Sequence, residues 1–422
     1  MNKLVHRVIG TSYVLFFVLA LCAATCFFAQ RVSKGTFFVI PAKDHVNVSD
    51  FVLYYVNGTM AISSDAHQVY DPEVQLKWQR LVSKGHLDRP FYSEMMPFAF
   101  PLVAPLALLP IEWAYFAWLV ICLPIGFGGF YFFLVKCSAL SKTQIPWVLI
   151  GTFLSLPVIL SLSIGQNGIL LLGLASLFFC FLVEKKDIPA ALVLTFSSFK
   201  PHYSLFLAMA ALAQRRWKLI LWAGLFELVL FIVTGLTIGW HNIFAYPSII
   251  AKVETAGGIL GVDGRTMVSV MGPLACLVGQ STALSMSTVV MVAGLAATYW
   301  IWSRYQTFVP TKQRLAMALT MLLCLVTSPH SHAYDLPMLA IIAVTLPTID
   351  FTKIIRSRPF SCLIWSLIVY FYPIASWVAG LLVIYQELAT TLLYFIMNAI
   401  LLACGFHLLV ERVNQDVGLP QS

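Results

Sequence analysis

Charged residues are scarce in this chain: they make up 10% of its 422 residues, whereas a soluble domain usually carries roughly 25%. Hydrophobic residues make up 60%, and apolar runs of about 20 residues, long enough to cross a bilayer as helices, recur along most of the sequence. The composition therefore excludes a soluble globular domain and predicts a polytopic integral membrane protein. Because the runs lack the alternation of barrel strands, the predicted fold is all-α.

Metal-type cysteine patterns and long basic tracts are also missing. The nine cysteines lie within or beside apolar segments without the spacing of metal ligands, so they predict buried side chains rather than disulfides or a zinc site. The net charge of +8 comes mainly from short basic clusters between apolar runs, where orientation signals are found. This distribution argues against a nucleic-acid partner.

The apolar runs predict about 10–12 transmembrane helices in a single domain over 1–422. The run after "MNKLVHR" is interpreted as a retained first span, with a cleaved signal peptide as the alternative. Residues 188–213 are too few for two full crossings, so we expect two short or tilted helices that turn at "SSFKPH". The other predicted spans are 112–135, 146–164, 167–184, 217–238, 284–303, 313–328, 336–349, 361–381 and 386–410.

Basic residues between the spans predict the orientation, since cytoplasmic loops are enriched in Lys and Arg. The connections that contain Lys136, Arg215 and Arg304 agree with one threading, in which both termini are cytoplasmic. The segment 31–111 is then a long first extracytoplasmic loop, with amphipathic helices at the membrane surface and a re-entrant element. In this threading, polar groups from distant segments meet at the extracytoplasmic face: Asp50, Gln166, Asn167, Lys200 and the stretch His330–Asp335.

Motifs in the first half of the chain have a structural as well as a functional interpretation. Asp50 precedes an apolar stretch that contains Tyr54, so it either caps a helix or belongs to a site. Gln166 and Asn167, in "LSIGQNGILLLG", lie between two spans, where amides often only cap the next helix. The run "MPFAFPLVAPLALLP" is either a re-entrant element beside a groove or a kinked connector, because such prolines prevent a straight helix.

Two further motifs bring charge and imidazole close to the membrane. Lys200, in "FKPHY", must snorkel to the interface or meet an anion. The stretch "SPHSHAYD" is open to three interpretations: a metal site, a structural polar cap, or contacts with a substrate phosphate. Histidines two residues apart do not face each other on a helix, and no further ligands with metal spacing accompany them. We therefore expect neither a metal nor another cofactor.

In this order, the motifs resemble glycosyltransferase family 87, a branch of the C-type glycosyltransferase superfamily. The resemblance implies a polytopic enzyme that takes a sugar, often mannose, from a polyprenyl-phosphate carrier outside the cytoplasm. By position it implies Asp50 as the general base, with Lys200 and the histidines of "SPHSHAYD" near the donor phosphate. "FAFP" stands where many relatives carry a tyrosine and paired prolines. The elements that carry the resemblance, over roughly residues 45–345, are "SDFVLYY", "MPFAFPLVAPLALLP", "GQNGILLLGL", "FSSFKPHYSLFL" and "TSPHSHAYDLPML".

The chemistry of these residues agrees with the resemblance. Charge builds on a phosphate leaving group as the glycosidic bond breaks, and Lys200 with a protonated or donating His330 or His332 could stabilise it without a metal. Asp50 could accept the proton of the acceptor hydroxyl, which predicts inversion. Asp335 is expected to orient a histidine ring. The remaining expected substrate contacts are Tyr54, Gln166, Asn167 and Tyr334.

The expected function is hexosyl transfer from a polyprenyl-phosphate-linked sugar to a glycan or glycolipid acceptor, at the inner or plasma membrane. Membrane lipid is the other expected partner. A polytopic transporter or lipid flippase is the alternative, but such proteins commonly show internal repeats, and this sequence has no clear one. A non-catalytic scaffold would not need five polar clusters at one face.

Overall fold

The computed structural model describes residues 39–41, 46–83, 87, 90–256, 263–304, 310–348 and 387–416, with single positions at 18, 22 and 364. It begins with a two-stranded antiparallel hairpin, β1 (Val39–Pro41) and β2 (Val46–Val48), in which Val39 pairs with Val48. The sequence expectation did not include this hairpin. All other regular elements are helical, which confirms the all-α prediction for the described part of the chain.

The segment after the hairpin holds short helices: α1 (Asp50–Ala61), α2 (Pro72–Val82) and the four-residue α3 (Phe100–Val103). Helix α2 begins at "DPE", where the Asp71 carboxylate accepts hydrogen bonds from the backbone amides of Glu73 and Val74. Helix α3 is flanked by the 3₁₀ turns Pro97–Ala99 and Ala104–Leu108, so the prolines interrupt this run as expected.

Helix α1 packs one side into the protein, and its expected position at the membrane surface stays a prediction. Its residues Phe51, Val52 and Val56 are buried, and an added Cβ at Gly58 would lie 2.7 Å from the carbonyl oxygen of Val103. The helix therefore packs closely against the proline-broken run. The Tyr54 hydroxyl donates to Gln166 Oε1, and the Tyr55 hydroxyl donates to the backbone oxygen of Leu109.

The helices of the main bundle follow in chain order. Their bounds agree closely with the predicted spans, apart from two helices over 240–256 and 271–278, where no span was predicted. They are α4 (Ile111–Leu123), continued through a π turn into α5 (Gly129–Cys137), then α6 (Ile145–Phe153), α7 (Leu156–Ile164), α8 (Gly168–Val183), α9 (Asp187–Ser197), α10 (Pro201–Ala213), α11 (Trp217–Ile238), α12 (Trp240–Ala256), α13 (Met271–Val278), α14 (Gln280–Arg304), α15 (Pro310–Thr327), a 3₁₀ segment (Ala333–Thr348) and α16 (Glu387–Asp416).

Three helices in the described part of the chain are long and apolar enough to cross a membrane: Ile111–Cys137, Trp217–Ile238 and Gln280–Arg304. Helices α6 and α7 form a fourth if they count as one span bent by 52°. These findings confirm a polytopic membrane protein, whereas the total of 10–12 spans stays a prediction. The predicted first span and the span 361–381 lie outside the described residues, apart from single positions.

The short pair predicted for 188–213 is confirmed as α9 and α10, with 11 and 13 residues, joined at Ser198–Lys200. Helix α8 lies in the middle of the bundle, because nearly all of its residues are buried. Its first residue follows the "GQN" turn directly. Buried polar residues occur in this turn (Asn167), at the α9–α10 junction (Ser198) and in the stretch between α15 and the 3₁₀ segment (Ser331).

Candidate active site

Asp50 is the first residue of α1, and its carboxylate points across the chain. Its Oδ2 accepts a hydrogen bond from Gln166 Nε2 at 2.8 Å. The structural interpretation of Asp50 as the helix N-cap is wrong, because Ser49 occupies that position. A carboxylate one residue inside the helix is free to meet a side chain 116 positions away in sequence.

The amides of the "GQN" turn hold Asp50 through a small network. Gln166 Oε1 accepts from the Tyr54 hydroxyl at 2.9 Å, and Asn167 Nδ2 donates to the same hydroxyl oxygen at 3.0 Å. Asn167 occupies the N-cap position of α8, but its side chain does not cap the helix. Because Tyr54 donates to the Gln166 oxygen, the Gln166 amide turns its nitrogen towards Asp50.

Two glycines let the turn approach its neighbours. Gly165 has φ +74, a conformation that favours glycine, and a Cβ there would overlap the Cβ of Phe51 beside Asp50. A Cβ on Gly168 would overlap the carbonyl oxygen of Tyr334. The turn is thus in direct contact with the segments that carry Asp50 and "SPHSHAYD".

Replacing Gly168 by alanine is expected to lower the free energy of unfolding by about 1–3 kcal/mol, the usual effect of overpacking. The matched control is Gly224→Ala in α11, where an added Cβ has nothing within 4 Å. Alanine at that position is expected to be neutral or to stabilise the helix by up to about 1 kcal/mol. Thermal unfolding in detergent, followed by tryptophan fluorescence, measures both. Equal melting temperatures for the two variants would contradict the packing.

Lys200 and Asp335 form a buried ion pair between the α9–α10 junction and the 3₁₀ segment. Lys200 Nζ lies 2.5 Å from Asp335 Oδ1, and the side chains are 11% and 0% exposed. Asp335 Oδ2 accepts from the backbone amide of His332 at 3.1 Å. The expectation that Asp335 orients a histidine ring is wrong, since its carboxylate holds Lys200 and the main chain of His332.

His332, Tyr334 and Lys200 are layered on one another. The rings of His332 and Tyr334 stack at a centroid distance of 4.9 Å, and Lys200 Nζ lies 4.9 Å from the Tyr334 ring centroid. Burial lowers the pKa of His332 well below its ordinary value, and the positive charges of His330 and Lys200 lower it further. His332 is therefore a neutral hydrogen-bonding group at neutral pH.

His330 faces two glutamates that the sequence interpretation missed. Its Nδ1 lies 2.8 Å from Glu254 Oε1, and its Nε2 lies 3.7 Å from Glu94 Oε2. Burial alone lowers the pKa of His330, but the carboxylates of Glu254 and Glu94 outweigh it and raise the pKa to about 9. Burial also raises the pKa of Glu94 above its ordinary range. The scarcity of acidic residues, with 18 in the chain, was the signal that could have found these two.

Glu94, Glu254 and His330 are also residue types that bind metals. One ligand atom from each lies within 4.8 Å of the others. No ligand spacing in the sequence announces this group, because Glu94 and Glu254 reach His330 from distant segments; the expectation that no metal is bound stays a prediction. Among the described residues, this trio is the group whose ligand atoms lie close enough together to hold a metal ion.

The Asp50 carboxylate belongs to the same electrostatic environment as these groups. Burial raises the pKa of Asp50 to about 6, while the hydrogen bond from Gln166 and the charge of Lys200 act in the opposite direction. Asp335 and His330 also act on it through charge. The site therefore combines a carboxylate that ionises close to neutral pH with a buried cation and two imidazoles.

The sequence model of glycosyltransferase family 87 matches residues 96–329, which is more than half of the chain. The chain belongs to glycosyltransferase family 87. The range matched to family 87 contains Gln166, Asn167 and Lys200, whereas Asp50 precedes it and His330 follows it directly. No curated protein matches the chain.

Membership of family 87 agrees with the expected class of enzyme and gives the site a general chemical meaning. A glycosyltransferase brings a sugar donor and an acceptor together, and it needs a group that activates the acceptor and groups that stabilise the departing part of the donor. The site found here contains the Asp50 carboxylate, the buried ammonium group of Lys200 and the imidazoles of His330 and His332.

Proposed function

We propose that this family 87 enzyme transfers a hexose, such as mannose, from a polyprenyl-phosphate carrier to an extracytoplasmic glycan or glycolipid acceptor, with inversion. Asp50 acts as the general base, and Lys200, His330 and His332 act at the donor phosphate. Gln166, Asn167, Tyr54, Tyr334 and Asp335 shape the substrate site. The observation that carries the proposal is the convergence of Asp50, the "GQN" turn, Lys200 and "SPHSHAYD" into one buried cluster, described above.

The proposed reaction is a single displacement. The acceptor oxygen forms a bond to the anomeric carbon of the sugar while the bond from that carbon to the phosphate oxygen breaks. The electron pair of the broken bond leaves with the polyprenyl phosphate, and the acceptor proton passes to Asp50. One base and one direct attack give inversion. A carboxylate with a pKa of about 6 is a stronger base than an ordinary aspartate, and it is still mostly ionised at neutral pH.

Lys200 can serve the phosphate although it already pairs with Asp335. An ammonium group has three N–H donors, and the Asp335 carboxylate needs one of them. Asp335 thereby fixes the position of the ammonium group and leaves its other N–H donors for a phosphate. His332 stacks beside Lys200 on Tyr334 and, being neutral, can donate one hydrogen bond to a phosphate oxygen without adding charge.

We further propose that both termini are cytoplasmic and that the site opens on the other side of a cell membrane. Cysteines placed at two exposed positions test this orientation: Glu73→Cys in α2 and Lys142→Cys between α5 and α6. In intact cells an impermeant maleimide is expected to label position 73 and not position 142, above the background of the wild-type cysteines. Labelling of 142 alone would reverse the proposed orientation.

A donor panel tests the reaction itself. Membranes that contain the wild-type protein are incubated with polyprenyl-phosphate sugars labelled in the sugar, and membranes that carry Asp50→Asn are the control. The expected result is transfer of label from at least one donor to a new glycan or glycolipid, absent in the control. A labelled donor that crosses the membrane chemically unchanged would support a transporter instead.

A further inference from the structure

The trio Glu94, Glu254 and His330 is assembled from three distant segments. Glu94 lies between α2 and α3, Glu254 lies near the end of α12, and His330 follows α15. Glu254 is buried, and the side chains of all three are at most 21% exposed. Burying two carboxylates in this way costs free energy unless a proton or a cation neutralises their charge.

Counting charges shows that the protein alone does not neutralise this region. In the described residues, the ionisable groups that act on one another here are four carboxylates, one ammonium group and three imidazoles. An imidazole that binds a metal is neutral, so with neutral imidazoles four carboxylates face one ammonium group, and a donor phosphate adds more negative charge. These groups are Asp50, Glu94, Glu254, Asp335, Lys200, His202, His330 and His332.

A separate observation concerns the histidine next to this trio. Nε2 of His202 is buried and has no hydrogen-bond partner in the part of the chain that the structure describes. The ring of His202 lies 6.0 Å from that of His330, measured between centroids. A buried, unpaired ring nitrogen is rare, because losing its hydrogen bond to water costs free energy. A water bound to a cation beside His330 would supply that bond.

We infer that Glu94, Glu254 and His330 bind one divalent cation of the Mn²⁺ or Zn²⁺ type. Two carboxylates and one imidazole suit these ions better than Mg²⁺ or Ca²⁺, which prefer oxygen ligands alone. Ligand atoms about 2.1 Å from a shared ion are at most about 4.2 Å apart, so the present limit of 4.8 Å requires only a small side-chain adjustment.

The position of the ion gives it a role in the proposed function, on which this part of the inference rests. His330 lies 5.1 Å from His332 between ring centroids, and His332 stacks towards Lys200. The ion is therefore placed to offset the excess carboxylate charge beside the proposed phosphate position. Three protein ligands leave open coordination positions, which a phosphate oxygen or water can take.

Binding of Mn²⁺ to the purified, tag-free, full-length protein tests the inference without any donor. After chelator treatment, electron paramagnetic resonance is expected to count one tightly bound Mn²⁺ per chain, with a nitrogen coupling from an imidazole. Glu254→Gln is expected to weaken binding at least tenfold, and His330→Gln to remove the nitrogen coupling. Glu73→Gln and His67→Gln, at positions outside the trio, serve as matched controls that bind like the wild type.

A melting measurement separates loss of the site from loss of folding. Mn²⁺ is expected to raise the melting temperature of the wild type and of Glu73→Gln, but not that of Glu254→Gln. Absence of bound Mn²⁺, or binding unchanged in Glu254→Gln and His330→Gln, would overturn the site. Bound Mn²⁺ without sugar transfer from any donor would reject the proposed function and keep the site. Full transfer in excess chelator would reject the role of the ion and keep the function.

Discussion

Asp50→Asn is expected to lower the rate of sugar transfer by about a hundred- to ten-thousand-fold, the usual contribution of a general base. Asparagine has the same size and can still accept the hydrogen bond from Gln166 through its carbonyl oxygen. It cannot take a proton from an acceptor hydroxyl. The variant should therefore fold like the wild type and bind the donor, and it should fail in the chemical step.

Initial rates with a saturating donor measure this effect, with Asp71→Asn as the matched control. Asp71 is an exposed N-cap of α2, and asparagine caps a helix about as well as aspartate. The control is expected to keep wild-type activity. Asp50→Asn with more than a tenth of the wild-type rate would remove Asp50 from the role of base.

The pH profile of the wild type gives a second measure of the same residue. Because the base must be ionised and burial raises the pKa of Asp50 to about 6, the rate is expected to rise as the pH increases through about 6 and then level off. Below that pH the rate falls about tenfold per pH unit. A rate that stays constant down to pH 5 would contradict the assignment. The other groups that act on this carboxylate are Gln166, Tyr54, Lys200, Asp335, His330, Tyr334 and Glu94.

Lys200→Met is expected to remove donor use and to lower the free energy of unfolding by about 3–5 kcal/mol, because it leaves Asp335 buried without its partner. Adding Asp335→Asn should restore most of the stability, since the uncompensated charge is then gone. Donor use should stay lost in the double variant, because no ammonium faces the phosphate. A double-mutant cycle of unfolding and of donor KM separates the two effects.

Arg216→Met is the matched control for this cycle. Arg216 pairs with Asp187 at 2.5 Å, and the two side chains are 15% and 19% exposed. This pair joins α9 to the beginning of α11, away from the site. Its loss is expected to lower stability while leaving the KM for the donor unchanged. A wild-type KM in the Lys200→Met, Asp335→Asn double variant would contradict phosphate binding by Lys200.

Much of the fold was accessible from sequence because apolar run length is a local property. The run 217–238 has the same bounds as α11, and the shortage of residues between two basic flanks correctly predicted the α9–α10 pair. The N-cap of α1 is harder to predict from sequence, because Ser49 and Asp50 are both good N-cap residues and only packing decides between them. The position expected for α1 at the membrane surface stays a prediction.

The candidate site was only partly predictable. Lys200, Gln166 and "SPHSHAYD" stand out because each is polar within an apolar context. Glu94 and Glu254 do not, since one lies in an irregular segment and the other in a mixed helix end, and neither is near His330 in sequence. Contacts between residues 76 or more positions apart depend on how the helices pack, and no local sequence pattern shows that. The pairing of Asp335 with Lys200 depends on helix packing in the same way.

The short α9–α10 hairpin also bears on how deep in the membrane Lys200 lies. At 1.5 Å per residue, its helices of 11 and 13 residues rise about 16 and 20 Å, whereas the hydrocarbon layer of a bilayer is about 30 Å thick. A hairpin whose two basic flanks lie at one membrane surface would therefore hold Lys200 inside that layer, below the level of the opposite headgroups. A carrier lipid would have to enter sideways and sink its phosphate to meet this cation, while its tail stays among the acyl chains.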